Sequence, residues 1–316
     1  MATGAALTTT AARADRSTTS PEQGYDLGDI QGPRSLAFGG AQSALGTSTT
    51  AIYDNPANLA LSRVYHFEAI GAISPEARRQ SYGGAVVDSN TSRLAGGFGG
   101  TWNMMDPDGI HRTWTDLRLT LAYMLGDKIS AGLTGRYMRG SQSVAAGPLG
   151  QSLASDGTNG SPIINQFTFD AGATVMPTNN VRIGLVGQNL TNPGTSFLPT
   201  TLKGGVGYFN ETFSVEADGL ADFTTWSRVR GRLMVGGELF LANHFPIRLG
   251  YRYDDGMRTH AVSAGLGYID RKWSFEVSAR RDVVGDNPST VIAAGIRYFY
   301  ESSGGTPADD TDAIGY

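Results

Sequence analysis

From residue 64 to residue 300 the chain alternates apolar side chains with small or charged ones, segment after segment. In FPIRLGYRYDD, Ile247, Leu249, Tyr251 and Tyr253 share one parity, while Arg248, Arg252 and Asp254 share the other. KWSFEVSAR sets Trp273, Phe275 and Val277 against Ser274, Glu276 and Arg280, and VRGRLMVGGELFLA sets Leu233, Val235, Leu239 and Leu241 against Arg230, Arg232 and Glu238. Successive side chains of a strand point to opposite faces, so each segment reads as an amphipathic strand. The pattern predicts fourteen of them, at 64–73, 79–88, 92–102, 113–125, 128–140, 164–176, 180–190, 200–209, 211–222, 229–241, 245–254, 259–268, 271–281 and 289–300.

The connections alternate as well. Gly126-Asp127, Pro177–Asn179, Asn210, Ala242–His244 and Ile269-Asp270 are tight; 103–112, 141–163, 191–199, 223–228, 255–258 and 282–288 are longer. Short turns at one end and longer loops at the other mark an outer-membrane barrel, and an even strand count leaves both termini on the periplasmic side. Ten residues at about 3.3 Å each, tilted about 45°, span roughly 23 Å, the height of such a barrel's apolar band. No run of eighteen apolar residues offers a helical span.

Alternation alone does not say which face meets solvent, and a soluble sandwich would alternate too. A barrel of fourteen strands, however, is too wide for its own side chains to fill. The polar face carries Arg118, Arg136, Asp170, Arg182, Glu216, Arg230, Arg232, Glu238, Arg248 and Glu276. Charges of both signs there suit a wet or plugged lumen, with the apolar face in outer-membrane lipid. Aromatic residues fall near both strand ends, as interfacial belts do. Tyr123, Tyr208, Phe213, Tyr268, Trp273 and Tyr300 lie by the tight turns, and Trp102, Trp114, Tyr137, Phe167, Phe223 and Tyr253 by the long loops.

Composition narrows the chemistry. The net charge of −4 gives no reason to expect a nucleic acid, and the absence of cysteine removes thiol catalysis and Cys-ligated zinc. The histidines, His66, His111, His244 and His260, are isolated from one another, so no metal site, cofactor or Ser-His-Asp arrangement is expected, and the chain does not read as an enzyme.

Four regions follow. Residues 1–28 read as a flexible leader or the remnant of a signal peptide, with Ala12-Arg13-Ala14 resembling a cleavage site. Residues 29–62 are rich in small residues, break the alternation and sit directly before the first strand, which makes them a hatch for the lumen. Thr49 or Thr50 is expected to cap a short helix running through Tyr53 there, with another starting at Pro56. Residues 63–300 form the barrel, and the acidic 301–316 is a periplasmic tail.

GPRSLAFGGAQSALGTSTTAIYDNPANLAL resembles the N-terminal signature of the FadL/PorV superfamily of outer-membrane proteins, through Gly32, Arg34, Ala37, Gly39, Gly40, Ala41, Tyr53, Asn55, Pro56, Ala57 and Leu59. FDAGATVMPTNNVRIGLVGQNL resembles a second family element through Asp170, Gly172, Ala173, Gln188, Asn189 and Leu190. The resemblance implies a fourteen-strand barrel with an N-terminal hatch, in which Gly39, Gly40, Tyr53, Asn55, Pro56 and Ala57 serve structure or gating. It implies either passive transport of small hydrophobic, fatty-acid-like molecules of a Gram-negative outer membrane, or a non-transporting barrel that partners other envelope proteins in a secretion or cell-surface machine.

Two further expectations concern the wall. Gly83, Gly84, Gly96, Gly97, Gly99 and Gly100 on the second and third strands mark either a lateral opening toward lipid or a patch where the hatch packs closely. His66 and Glu68 share the polar face of the first strand and are expected to anchor the hatch.

Overall fold

The computed structural model describes residues 32–106, 111–143, 160–195, 197–242, 244–285 and 288–300. The leader 1–28, the tail 301–316 and most of the long loop 141–163 lie outside the described residues. The described residues begin with helix α1 (Pro33–Ala37), helix α2 (Thr49–Tyr53) and a 3₁₀ helix over Pro56–Leu61. Seven strands follow: β1 (Tyr65–Ser74), β2 (Arg79–Asp88), β3 (Leu94–Met105), β4 (Arg112–Met124), β5 (Ile129–Gln142), β6 (Gly160–Thr178) and β7 (Val181–Gln188). Seven more complete the series: β8 (Thr201–Phe209), β9 (Phe213–Asp222), β10 (Arg230–Leu241), β11 (Phe245–Asp254), β12 (Thr259–Ile269), β13 (Trp273–Val284) and β14 (Thr290–Phe299). Each strand pairs antiparallel with its sequence neighbours, and β1 pairs with β14 to close the barrel.

Burial follows the alternation. On β13, Trp273, Phe275 and Val277 are 44 %, 49 % and 57 % exposed, whereas Ser274, Glu276 and Ser278 between them are 0 %, 3 % and 3 % exposed. All fourteen strands turn large apolar side chains outward in this way. A water-soluble monomer tolerates a contiguous apolar patch of only a few hundred Å². A belt running round the whole barrel therefore faces lipid, and the fold is a transmembrane β-barrel.

The wall is continuous where an opening was expected. β2 pairs with β3 from Arg79↔Met105 to Asp88↔Gly96, and β3 with β4 from Leu94↔Tyr123 to Met105↔Arg112, without a break. Gly83, Gly84, Gly96, Gly97, Gly99 and Gly100 thus sit in an intact ladder, and the lateral opening assigned to them is absent. The ladder breaks off elsewhere. β6 runs for nineteen residues and β7 for only eight, so β7 accompanies β6 no further up the wall than Ala171↔Gly187. Above that step the 189–200 connection takes over: Leu190 donates its backbone N–H to the Phe169 carbonyl (2.8 Å) and Asn189 to the Asp170 carboxylate (2.7 Å).

Two smaller expectations also change. Trp114 is 2 % exposed and points inward, where it packs with Met105, Met138, Ile164, Phe197 and Leu198 at the long-loop end of the lumen, so it is no part of the lipid-facing belt. Neither Thr49 nor Thr50 caps helix α2: both lie inside it, and the N-cap position is Ser48, held at φ 64° with its hydroxyl turned away to His66.

The seam between β1 and β14 is stapled at the loop end. Glu76, between β1 and β2, pairs with Arg281 of β13 and accepts from the Thr290 backbone N–H (3.0 Å) and hydroxyl (2.8 Å). Partial burial pushes the Glu76 carboxyl up, but the Thr290 and Arg281 hydrogen bonds outweigh it and hold the group below its ordinary value. A depressed carboxylate stabilises the folded state above its unfolded pKa, and that contribution disappears as pH falls through the folded value. Glu76→Ala should therefore lower the temperature at which the barrel loses its heat-modifiable gel mobility at pH 7, by an amount equivalent to at most about 1 kcal/mol. The difference should narrow as pH falls through the depressed value of the Glu76 carboxyl.

Candidate functional site

The lumen is occupied. Residues 33–59 are buried almost without exception, and their contacts are with lumen-facing positions of the wall. Helix α1 lies against β11–β14, α2 against β2–β4, and the 3₁₀ helix against β3–β6. Close approach depends on wall positions without side chains: a Cβ built on Gly184 would overlap the Ser43 carbonyl, and one on Gly132 would lie 2.7 Å from the Ala57 nitrogen.

Three sets of polar contacts hold this inner segment. The first is a chain of alternating charge across β10, β11, β13, β14 and β1. Arg34 of the segment reaches Glu238 (3.3 Å), Glu238 pairs with Arg248, Arg248 with Glu276 (2.7 Å), Glu276 with Arg297 (3.3 Å), and Arg297 with Glu68 (3.2 Å). Glu68 then accepts from the Thr49 hydroxyl, while His66 beside it shares a hydrogen bond with the Ser48 hydroxyl (2.8 Å). Both residues expected to anchor a hatch therefore meet the start of α2.

The second set lies on β8 and β9. Asp218 accepts from the backbone N–H groups of Gln42 (3.0 Å) and Ser43 (2.9 Å) and from the Ser43 hydroxyl (2.8 Å). Glu216 accepts from Ala44 (2.6 Å) and Leu45 (3.1 Å). Lys203 donates to the Gly40 carbonyl and Asp54 at 2.8 and 2.7 Å. Charge-assisted bonds to four successive amides make this the tightest grip on the segment.

The third set surrounds Asn55-Pro56-Ala57 and Tyr53. The Asn55 amide donates to the Ser43 carbonyl (2.6 Å) and Thr174 (3.1 Å), and its oxygen caps the 3₁₀ helix at the Ala57 N–H (3.1 Å). Pro56 sits at the first position of that helix, where its missing N–H costs nothing. Arg118 donates to the Tyr53 carbonyl (3.0 Å) while paired with Asp116 (3.1 Å), which also binds Arg136. The Tyr53 ring stacks under Arg118, with its hydroxyl against Gly99. Gly39 and Gly40 turn the chain after α1 at φ 66° and 93°, values that favour glycine.

The remaining lumen residues fall around these sets. Asp170 takes the Asn189 N–H, Arg232 pairs with Asp254 (2.7 Å), and Arg230 with Asp255 (2.8 Å) nearer the rim. Arg182 lies at the tight-turn end beside Phe209. The expected glycines divide by parity: Gly97 and Gly99 face Ile52 and Tyr53, whereas Gly100 faces out beneath Leu117. A cavity lies between Tyr53, Arg118 and Arg136 on one side and Asn189, Pro199 and Asp222 on the other, directly behind the 189–200 connection.

Several residues of consequence were not singled out from the sequence: Asp116, Lys203 and Ser43. Inward parity marks the first two, as it does Asp218. Asn189 has φ 53°, donates to the Pro199 carbonyl (2.7 Å) and accepts from Arg136 (3.2 Å), so one left-handed asparagine ties the connection to the lumen network.

No protein-family model and no curated protein matches the sequence. Solved structures do. The toluene transporter TbuX of Ralstonia pickettii is 14 % identical, with a TM-score of 0.61 over 86 % of this chain and 99 % of that one. The CymD monoaromatic hydrocarbon channel is 13 % identical, with a TM-score of 0.65 over 86 % and 98 %. A Pseudomonas aeruginosa FadL homologue is 14 % identical, with a TM-score of 0.58 over 86 % and 99 %. The fold is that of the FadL-type barrels. The shared architecture extends over nearly the whole length of each neighbour, although few residues are held in common.

The inner segment should respond to its caps. Asn55→Ala removes one cap and two buried donor contacts, which should loosen the segment by about 1–3 kcal/mol. Because the chain has no cysteine, a single Ser35→Cys probe reports this cleanly, and labelling by a membrane-impermeant thiol reagent should accelerate in the Asn55→Ala background while the folded barrel's gel mobility is kept.

Proposed function

We propose that this chain is a passive, non-enzymatic transporter of small hydrophobic molecules across the outer membrane of a Gram-negative bacterium, with residues 29–62 as the hatch that gates its lumen and both termini in the periplasm. The observation that carries this reading is the manner of closure. The segment in the lumen combines buried apolar side chains, Leu36, Phe38, Leu45, Ile52 and Leu59, with polar contacts to the wall that can be exchanged, above all the carboxylates of Asp218 and Glu216 on four of its backbone amides. That exchangeable polar grip is what makes the closure releasable.

Two features support a hydrophobic cargo. The long-loop end of the lumen carries a buried apolar cluster, Trp114, Met105, Met138, Ile164, Phe197 and Leu198, with Arg79 and Arg112 stacked on its Trp114 and Phe197 rings. Fold neighbours include a toluene transporter and a monoaromatic hydrocarbon channel. The step between β6 and β7 supplies a sideways route. There the wall is closed by a connection instead of a ladder, the cavity lies directly behind it, and Phe167, Phe169 and Leu190 line its outer face. A hydrophobic molecule would leave the lumen into lipid by displacing the 189–200 connection, passing Arg118 and Arg136 at the edge of the polar network around Asp116.

Liposome reconstitution tests this. The intact chain should accelerate entry of toluene into the vesicle lumen while conducting few ions, and a chain lacking residues 33–61 should show a large ionic conductance. Barrels that are folded by gel mobility yet pass toluene in neither form would overturn transport and favour a docking role within an envelope machine.

A further inference from the structure

We propose that Arg182 and Glu216 form a two-position latch for the inner segment, with the Leu45 side chain as the wedge that keeps them apart; this rests on the gating reading above. Arg182, Gly207 and Glu216 are aligned in register on β7, β8 and β9 and form one inward-facing row. The middle position has no side chain of its own. Leu45 fills it so closely that a Cβ built on Gly207 would overlap the leucine. The same Leu45, through its backbone N–H, is one of the two amides that Glu216 holds.

Arg182 is left in an unusual position. It is 5 % exposed, its Nε has no hydrogen-bond partner, and its recorded contact is the Phe209 ring, 4.5 Å from guanidinium carbon to centroid. Among the described residues no carboxylate lies within ion-pair distance of it. Several lumen cations differ: Arg118, Arg136, Arg232, Arg248 and Lys203 each hold an acid. A buried cation without an acid is unfavourable, and stacking on an aromatic ring recovers only part of the loss.

Neighbouring strands lie about 4.8 Å apart, so Arg182 and Glu216 are separated by two spacings, about 10 Å between backbones. Extended arginine and glutamate side chains bridge that distance when nothing stands between them. In the closed lumen Leu45 stands between them and its amide occupies the carboxylate. When residues 42–45 withdraw, Glu216 loses both amide donors and the wedge leaves at the same moment. The carboxylate then turns to Arg182, and two groups that would each be stranded satisfy one another. Arg182 contributes little to the closed state and lowers the free energy of the open one. Asp218 has the equivalent arrangement already half made, with Lys203 at 3.6 Å.

The test uses the full chain in liposomes with the Ser35→Cys probe, reading labelling by a membrane-impermeant thiol reagent alongside ion conductance. Arg182→Met should slow labelling by about tenfold, the range expected for loss of a close buried charge pair. Glu216→Gln should speed it, and Arg182→Met should have no further effect in that background, because Arg182 acts only through Glu216. Arg182→Lys should restore labelling to near the wild-type rate. Leu45→Ala, which needs no change at either charge, should speed labelling by removing the wedge. Labelling in Arg182→Met as fast as in the wild type, or an Arg182→Met effect that persists in the Glu216→Gln chain, overturns the latch while leaving gating intact. A probe that stays unlabelled even when Glu216→Gln and Asp218→Asn are combined overturns the gating reading and the latch with it.

Discussion

Fourteen strands enclose more space than inward side chains fill, and every charge placed in that space must be matched without much help from water. The chain meets both demands with one device. Its N-terminal segment supplies volume and also supplies partners: Arg34 for Glu238, Thr49 for Glu68, the Tyr53 carbonyl for Arg118, and four consecutive amides for Asp218 and Glu216. Wall and segment are each incomplete alone. A barrel emptied of residues 33–61 would leave these groups to water, so the lumen would become wet at the moment it opened.

The two halves of the network have different characters. Across β10, β11, β13, β14 and β1 the charges pair mainly with each other, and the segment enters only at the ends, through Arg34 and Thr49. That half also braces the closure between the first and last strands, and it survives loss of the segment largely intact. On β8 and β9 the acids bind the segment's backbone directly. Under the gating proposed above, opening must break this half, the tightest grip on the segment, while the seam keeps its pairs.

Much of the architecture was legible because period two is a direct consequence of strand geometry, and the alternation of tight and long connections fixes which end is which. Parity placed Arg118, Glu238, Arg248 and Glu276 inward without reference to their partners. Parity says nothing of what a residue meets, however, and there the reading fell short. Trp114 has inward parity yet was grouped with the aromatic belts by its height on the strand alone. The glycines of β2 and β3 were read as one patch, although Gly97 and Gly99 face the segment and Gly100 faces lipid. A glycine run looks the same in sequence whether it bends a wall or seats something against it. Asn189 was visible as part of a motif, but its role depends on a left-handed backbone and on Pro199, ten residues further on, neither of which has a periodic signature.

The position of the step between β6 and β7 follows from the same economy of contacts. A strand of eight residues beside one of nineteen leaves backbone groups of β6 without a ladder partner, and in a membrane such groups must be satisfied within the protein. The 189–200 connection does this with a few bonds, to the Phe169 and Phe167 carbonyls and the Asp170 carboxylate, where a full strand would have used many. Few bonds are sufficient for closure and are also few to break. Because Asn189 accepts from Arg136, which shares Asp116 with Arg118, and Arg118 holds the Tyr53 carbonyl, movement of the inner segment and release of the connection share one set of hydrogen bonds. Under the transport proposed above, a lumen gate and a side gate joined through Asp116 would open together more readily than either alone, since the first to move removes donors on which the second depends.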